Sequence, residues 1–345
     1  MGFAPEHFPE VPLTRRLAIP VGITATGQYY PERIVTNADL AQMVDTNDEW
    51  ILTRTGISER RWADPGVGTS DLGAKALQMA LDRRGMAASE LDAIIACTVT
   101  PDMQFPATSA LIQAKIGADN AFGFDLNAAC SGFLFGLTTG ASLIASGAYQ
   151  RVAVVGADVM TSILDKGDRN TAVLFGDGAG AVILERVAEG CGVLDFEHRI
   201  DGSGAPFLCM PAGGSLRPAT AATVAANQHV IFQEGKEVYK RAVRDMAEVS
   251  RLMLDRNRIQ TGDLALFVPH QANVRIMDAA AKRLELPLER MASNIGEFAN
   301  TTSATLPTAL HQSLEAGKLK KGDLMVMAAF GAGFTWGGAL VRWAV

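Results

Sequence analysis

The sequence predicts a layered α/β fold assembled from two related halves. Three observations carry that expectation. Apolar strand-like runs alternate with helix-like runs along the chain, three segments of the first half are echoed in the same order in the second, and 48% of the 345 residues are apolar against 20% charged. Alternating elements stack helices on sheets. Recurrence in the same order marks a duplicated unit, and the composition suits a large packed core rather than a disordered chain.

Taken in order, residues 70–84 read as a helix and residues 91–98 (LDAIIACT) as a buried strand. No charge occurs between Asp125 and Arg151, a gap long enough to raise a membrane-spanning reading. It contains Asn127, Ser131, Thr138, Thr139, Ser142, Ser146 and Gln150, so a helix buried on all sides of a soluble core fits better. Residues 152–156, 264–268 and 324–328 read as further buried strands and residues 235–256 as a helix.

Three echoes in the same order define the repeat. Leu81-Asp82 followed by Leu91-Asp-Ala-Ile-Ile matches Leu254-Asp255 followed by Leu264-Ala-Leu-Phe-Val. The helix-to-strand passage at Ser146 returns at Ala316, and Phe175-Gly-Asp-Gly-Ala-Gly returns as Phe330-Gly-Ala-Gly. The halves are expected at 17–186 and 187–345. Residues 191–233, rich in Gly, Pro, Ala and Thr, have no counterpart and read as a surface insertion.

Thirty-seven acidic against 31 basic side chains give a net charge of -6, which argues against general nucleic-acid binding. The four cysteines (Cys97, Cys130, Cys191 and Cys209) form no C-x-x-C pair, so a redox motif or zinc ribbon has no support and a reducing cytoplasm is expected. Residues 1–20 carry Glu6, Glu10, Arg15 and Arg16 with no continuous apolar core, unlike a secretory signal.

Cys130 falls where an extended run meets the start of the uncharged helix. Unpaired N–H groups there favour a thiolate and could hold an oxyanion on a substrate carbonyl. A small buried hydrophobe is the competing reading, and it is the better one for Cys97 in mid-strand. Among the five histidines only His270 directly follows a buried strand, held extended by Pro269. Asn300 precedes a helix, where Asn is a favoured cap, but the repeat brings it near the second-half position equivalent to Cys130. A nucleophile and two hydrogen-bonding groups converging on one cleft form a Cys–His–Asn set suited to acyl transfer. Gly176-Asp-Gly-Ala-Gly180 precedes an apolar strand, not a helix, so it reads as a tight hairpin needing glycine conformations rather than a dinucleotide loop. No P-loop and no metal-spaced His/Glu cluster occurs.

Residues 236–251 hold five basic and three acidic side chains, and residues 272–283 three basic and one acidic. Lys236, Lys240 and Arg244 share one helical face. The face is either simply solvated or suited to an acidic partner beside His270.

Taken together, Thr36-Asn-Ala-Asp-Leu, Asp48-Glu-Trp-Ile-Leu-Thr-Arg-Thr-Gly-Ile, Asn127-Ala-Ala-Cys-Ser-Gly-Phe, Phe175-Gly-Asp-Gly-Ala-Gly, Val268-Pro-His-Gln-Ala-Asn and Gly333-Phe-Thr-Trp-Gly resemble the β-ketoacyl-acyl-carrier-protein synthase III family of the thiolase superfamily, nearly end to end. The resemblance implies a thiolase-like fold with a five-layered α-β-α-β-α core and an initiating condensing enzyme of type II fatty-acid synthesis. By that likeness Cys130 takes an acyl group from acyl-CoA and passes it to malonyl carrier protein with loss of CO2. His270 and Asn300 bind the malonyl thioester oxygen, and the backbone N–H groups of Cys130 and Ala332 form the oxyanion hole.

The resemblance also implies CoA contacts at Trp50, Arg54, Arg169 and Asn273. Lys240, Arg275, Lys282 and Arg283 match a surface for an acidic acyl carrier protein. Phe105 matches a residue that reaches the partner's acyl pocket in a homodimer. No cofactor, nucleic acid or membrane is implied, acyl-CoA and malonyl carrier protein being substrates. The chain departs from the family pattern at Ala299 and Thr302, where Gly and Ser are common, and at Ala332, where a third glycine is common. The C-terminal Gly-rich loop lacks the second cysteine of degradative thiolases, and elongating synthases have histidine in place of Asn300. The alternatives are a specialised synthase or acyltransferase of secondary metabolism on the same fold, and a silent partner subunit, against which the presence of Cys130 counts.

Overall fold

The computed structural model describes residues 15–345, so the reading of residues 1–20 falls mostly outside the described residues. The first sheet contains β1 (Val21–Tyr29), β2 (Ala93–Cys97), β3 (Phe122–Leu126), β4 (Val152–Asp158) and β5 (Gly178–Arg186), in the order β1-β5-β4-β2-β3. The second contains β6 (Gly192–Ile200), β7 (Leu264–Pro269), β8 (Leu324–Gly331) and β9 (Thr335–Arg342), in the order β7-β8-β9-β6. The two share one topology. β2 runs parallel to β4 as β7 does to β8, and antiparallel pairs β4/β5 and β5/β1 match β8/β9 and β9/β6. A lone parallel bridge from Phe267 to Met291 stands where the first sheet has β3.

Strand alternation decides what each sheet faces. In the first sheet Ile94, Ala153, Val155 and Ile183 pack outward against α1 (Thr69–Arg84). Ile95, Val154 and Val182 point inward to α2 (Gly132–Ala145). The second sheet sends Leu266, Val268, Met325 and Met327 to the same central layer, and Phe267, Val326 and Leu340 outward to α3 (Gly235–Asn257) and α4 (Val274–Arg283). α2 and α5 (Thr305–Glu315) therefore lie between the sheets, giving five layers, α-β-α-β-α. The uncharged stretch ends as expected, with Phe133, Leu134, Leu137 and Ala141 fully buried. Among the described residues no helix is long and apolar enough to cross a membrane. α3 is amphipathic: Val238, Ala242, Met246, Val249 and Met253 recur on its buried side.

Two sequence expectations are corrected. Residues 191–233 are not wholly a surface insertion, because Gly192–Ile200 is β6, the counterpart of β1. Its Asp195 and Glu197 are buried and paired with Arg256, with Arg15 reaching Glu197 as well. Only the stretch after Ile200 leaves the sheet. The Gly176–Gly180 run is not a tight hairpin either. None of its glycines has a positive φ, and Gly178 and Gly180 already belong to β5. They are small because other chain segments press on them: a Cβ would stand 2.6 Å from Phe298 O at Gly176 and 2.8 Å from the Tyr30 ring at Gly178 and from Pro307 at Gly180.

Candidate active site

β3 ends at Leu126, and the chain turns sharply into α2 through a single 3-10 turn, Ala129–Ser131. Ala129 holds φ 49, a left-handed conformation that costs a non-glycine residue about 1–3 kcal/mol and turns the next side chain, Cys130, into a cavity. Asn127 supports the turn, its Oδ1 accepting from Ala129 N at 3.2 Å. The cavity measures about 1100 Å³ and runs from Cys130, His270 and Asn300 out to Trp50, Lys236 and Arg275. All three members of the Cys–His–Asn set therefore face one space.

His270 follows β7, its N–H donating to Ala328 O at 2.8 Å and its Nδ1 lying 2.7 Å from Thr305 Oγ1. Asn300 is clamped by the glycine run. Its N–H donates to Leu174 O at 2.9 Å, and its carbonyl accepts from Gly176 N at 3.1 Å. Asn300 Oδ1 accepts from Thr302 N at 2.8 Å, which leaves the amide nitrogen as the side chain's donor toward the cavity.

Below the turn lies Asp158, fully buried at the end of β4. It accepts from Thr98 Oγ1 and Val99 N in the first half, and from Thr302 Oγ1 and Ser303 Oγ in the second. Burial raises its carboxyl above the usual range, and these hydrogen bonds pull it back. Sequence reasoning missed Asp158 and Thr305, and marked Thr302 only as a departure from the family pattern. Nothing in their local strings sets them apart.

Burial also decides the protonation of the reacting groups. It pushes the Cys130 thiol up to about 12, and the backbone N–H at the helix start pulls it back down. It pushes His270 down to about 3, keeping the imidazole neutral. Burial thus favours the uncharged form of both groups.

Gly331 closes the other side. A Cβ there would sit 2.6 Å from Cys130 N, so only glycine leaves room for a substrate oxygen at that N–H. Ala332, next in the β8–β9 turn, lines the same cavity.

The other implied residues occupy the cavity's outer reach and the surface. The Arg54 and Arg169 guanidinium carbons lie 4.4 and 3.9 Å from the Trp50 ring centroid, a paired cation–π contact. Arg169 Nε is buried with no hydrogen-bond partner. Asn273 caps α4 through Arg275 N and donates to Arg54 O, so its amide already ties the two walls together. Lys240, Arg275, Lys282 and Arg283 are all exposed, and none pairs with a described carboxylate. On α3, by contrast, Arg241 and Arg244 are neutralised by Asp201 and Asp245. Phe105 does not line this chain's cavity and is 84% exposed. Cys97 is buried in β2, as expected, while Cys209 lines the cavity wall.

Family models fit this chain in two places. One described as 3-oxoacyl-[acyl-carrier-protein (ACP)] synthase III matches residues 124–202, and one described as its C-terminal part matches residues 254–343. Over 325 residues the chain is 53% identical to the beta-ketoacyl-[acyl-carrier-protein] synthase III of Solibacter usitatus, covering 93% of this chain and 98% of that relative. The chain belongs to the β-ketoacyl-[acyl-carrier-protein] synthase III family. The synthase III from Thermus thermophilus superposes with a TM-score of 0.87 at 42% identity, over 94% of this chain and 99% of that one. The priming β-ketosynthase of the R1128 polyketide pathway gives 0.88 at 33% identity, over 97% and 99%. As a synthase III the chain is an acyltransferase, an initiating condensing enzyme of fatty-acid synthesis with the thiolase-like fold.

Proposed function

We propose that this synthase III takes its acyl group from acyl-CoA onto Cys130 and condenses it with malonyl carrier protein. The observation that carries this reading is the convergence of Cys130, His270 and Asn300 on one 1100 Å³ cavity whose mouth is basic. Cys130 Sγ attacks the thioester carbonyl, the developing oxyanion binds the N–H groups of Cys130 and Ala332, and CoA leaves with the thiol proton. Loss of CO2 from the malonyl group leaves its electron pair as an enolate, whose oxygen accepts hydrogen bonds from His270 and Asn300. The carbanion then attacks the acyl-Cys130 carbonyl, and the expelled thiolate takes a proton from solvent. No metal or redox cofactor is required.

Trp50, Arg54 and Asn273 line the approach taken by CoA and Arg169 packs on the Trp50 ring, which is available to stack on adenine once a guanidinium moves aside. The unpaired cations Lys240, Arg275, Lys282 and Arg283 suit an acidic carrier protein. An exposed Phe105 and the open edge of β3, where Phe122 and Gly123 are exposed, support a homodimer in which Phe105 enters the partner's pocket. A cytoplasmic location follows from this chemistry.

The test is product formation from a short acyl-CoA and malonyl carrier protein. A 3-oxoacyl carrier product, with equal CoA and CO2, is expected. A chain that self-acylates without forming that product is instead a specialised synthase or acyltransferase, the reading to which the R1128 likeness lends support.

A further inference from the structure

The turn that carries Ala332 is held from the side away from the cavity. β8 ends at Gly331 and β9 begins at its cross-strand partner Thr335, so Ala332, Gly333 and Phe334 make the turn. The Ala332 N–H has no hydrogen-bond partner among the described residues, so the turn alone sets its direction. Phe334 N–H donates to Asp201 O, and Asp201 N–H donates to Phe334 O at 2.8 Å. These bonds lie one step beyond the last β9–β6 pair, Thr335 with Ile200. The Phe334 ring is buried, with Phe330 at 4.9 Å and Phe207 at 6.1 Å, and a Cβ on Gly204 would stand 2.5 Å from it.

Arg241 of α3 ties this clamp to the helix. Its Nη2 donates to Asp201 Oδ2 at 2.7 Å, its Nε donates to Oδ2 of the buried Asp245 at 3.3 Å, and its guanidinium carbon lies 5.5 Å from the Phe334 ring centroid. Asp201 Oδ1 is filled by Ser203 N and Oγ, at 3.0 and 2.6 Å. Arg241, Asp201 and Phe334 do not line the cavity.

We infer that Arg241 is a positioning residue for the oxyanion hole. One guanidinium holds both partners of the Asp201–Phe334 clamp against α3, and the clamp aims the Ala332 N–H at the cavity opposite Cys130. A preorganised donor stabilises developing charge because it does not have to move when the charge appears. Loss of Arg241 frees the turn to shift, so acyl transfer slows while the CoA contacts at Trp50, Arg54 and Asn273 stay as they are.

The inference rests on the acyl transfer proposed above, and Gly331→Ala separates the two. Single-turnover acylation is followed in full-length protein with whichever of acetyl-, isobutyryl- or octanoyl-CoA the wild type uses fastest. Arg241→Ala should slow it ~10-fold, less than losing the donor outright, with half-saturation by acyl-CoA within ~3-fold of wild type and an end point of one acyl group per chain. Asp201→Asn keeps the bond to Ser203 but drops the charge, and should cost ~3- to 10-fold; added to Arg241→Ala it should cost nothing more, since the two act as a unit. Arg241→Lys, which keeps the charge, should recover most of the rate. An end point below one acyl group, weakened acyl-CoA binding, additive losses or no recovery with lysine overturns the assignment. So does a wild-type rate in Arg241→Ala when Gly331→Ala is slow. Wild-type rates in both overturn the oxyanion reading itself.

Discussion

Asn127 and Asn300 make the same turn in the two halves. Each amide oxygen accepts from the N–H two residues on, Ala129 at 3.2 Å and Thr302 at 2.8 Å, and both of those residues hold a positive φ, 49° and 52°. The pairs stand at the 173-residue offset of the Leu81 and Leu254 echo. In that register the counterpart of Cys130 is Ser303, and Asn300 is the counterpart of Asn127. Duplication thus supplied one turn twice, and the halves divided its uses. In the first it turns Cys130 into the cavity. In the second Ser303 is tied to Asp158 and to Cys97 O, leaving Asn300 as the group that faces the cavity.

Gly331 tests the oxyanion site. Gly331→Ala puts a methyl 2.6 Å from Cys130 N and should slow acylation by about 100- to 1000-fold, the cost of losing one oxyanion donor. Stopped-flow release of CoA measures it. Acylation at the wild-type rate would remove that N–H from the mechanism.

Ala299 should be improvable. It holds φ 58, ψ -160, a conformation otherwise confined to glycine. Ala299→Gly relieves about 1–3 kcal/mol of strain and gives back about 0.4–1 kcal/mol through the freer unfolded chain, a net gain of about 1 kcal/mol. Urea unfolding checks it, and a lower midpoint in the variant counts against the strain.

His270 should not titrate in the working range. Held down at about 3, it is neutral above that pH, so condensation should show no acid limb near 6.5 that disappears in His270→Asn. The same shift acts on stability. The unfolded histidine binds its proton near pH 6.5 and the folded one only near 3, so the unfolded state gains as pH falls through that window. His198, held at about 4 by burial, adds to the effect. Thermal midpoints should fall from pH 7 to pH 5. A rise would contradict both shifts.

The exposed cations predict a split between substrates. Lys282→Glu with Arg283→Glu should raise KM for malonyl carrier protein, more at low salt than at high salt, while leaving CoA-dependent acylation unchanged. Equal loss of both would mean that these side chains serve something other than carrier docking.

The sequence disclosed the layers and the three residues that share the cavity, because burial on both faces leaves continuous apolar runs and because the repeat aligned the two turns. It concealed β6, since Asp195, Glu197 and Arg199 make that strand look like a polar loop until Arg256, far along the chain, arrives to pair with its acids. The glycine run misled for a similar reason. Its smallness answers to Phe298, Tyr30 and Pro307, which are distant in sequence. Asp158 and Thr305 were invisible because their meaning lies wholly in partners from the other half or another layer.

The central claim is that Cys130 carries the acyl group, and intact-mass measurement after adding acyl-CoA tests it most directly. Wild type should gain one acyl group per chain and Cys130→Ala none, while His270→Asn and Asn300→Ala still acquire it. An adduct that persists in Cys130→Ala, or one that never forms on the wild type, would contradict the account.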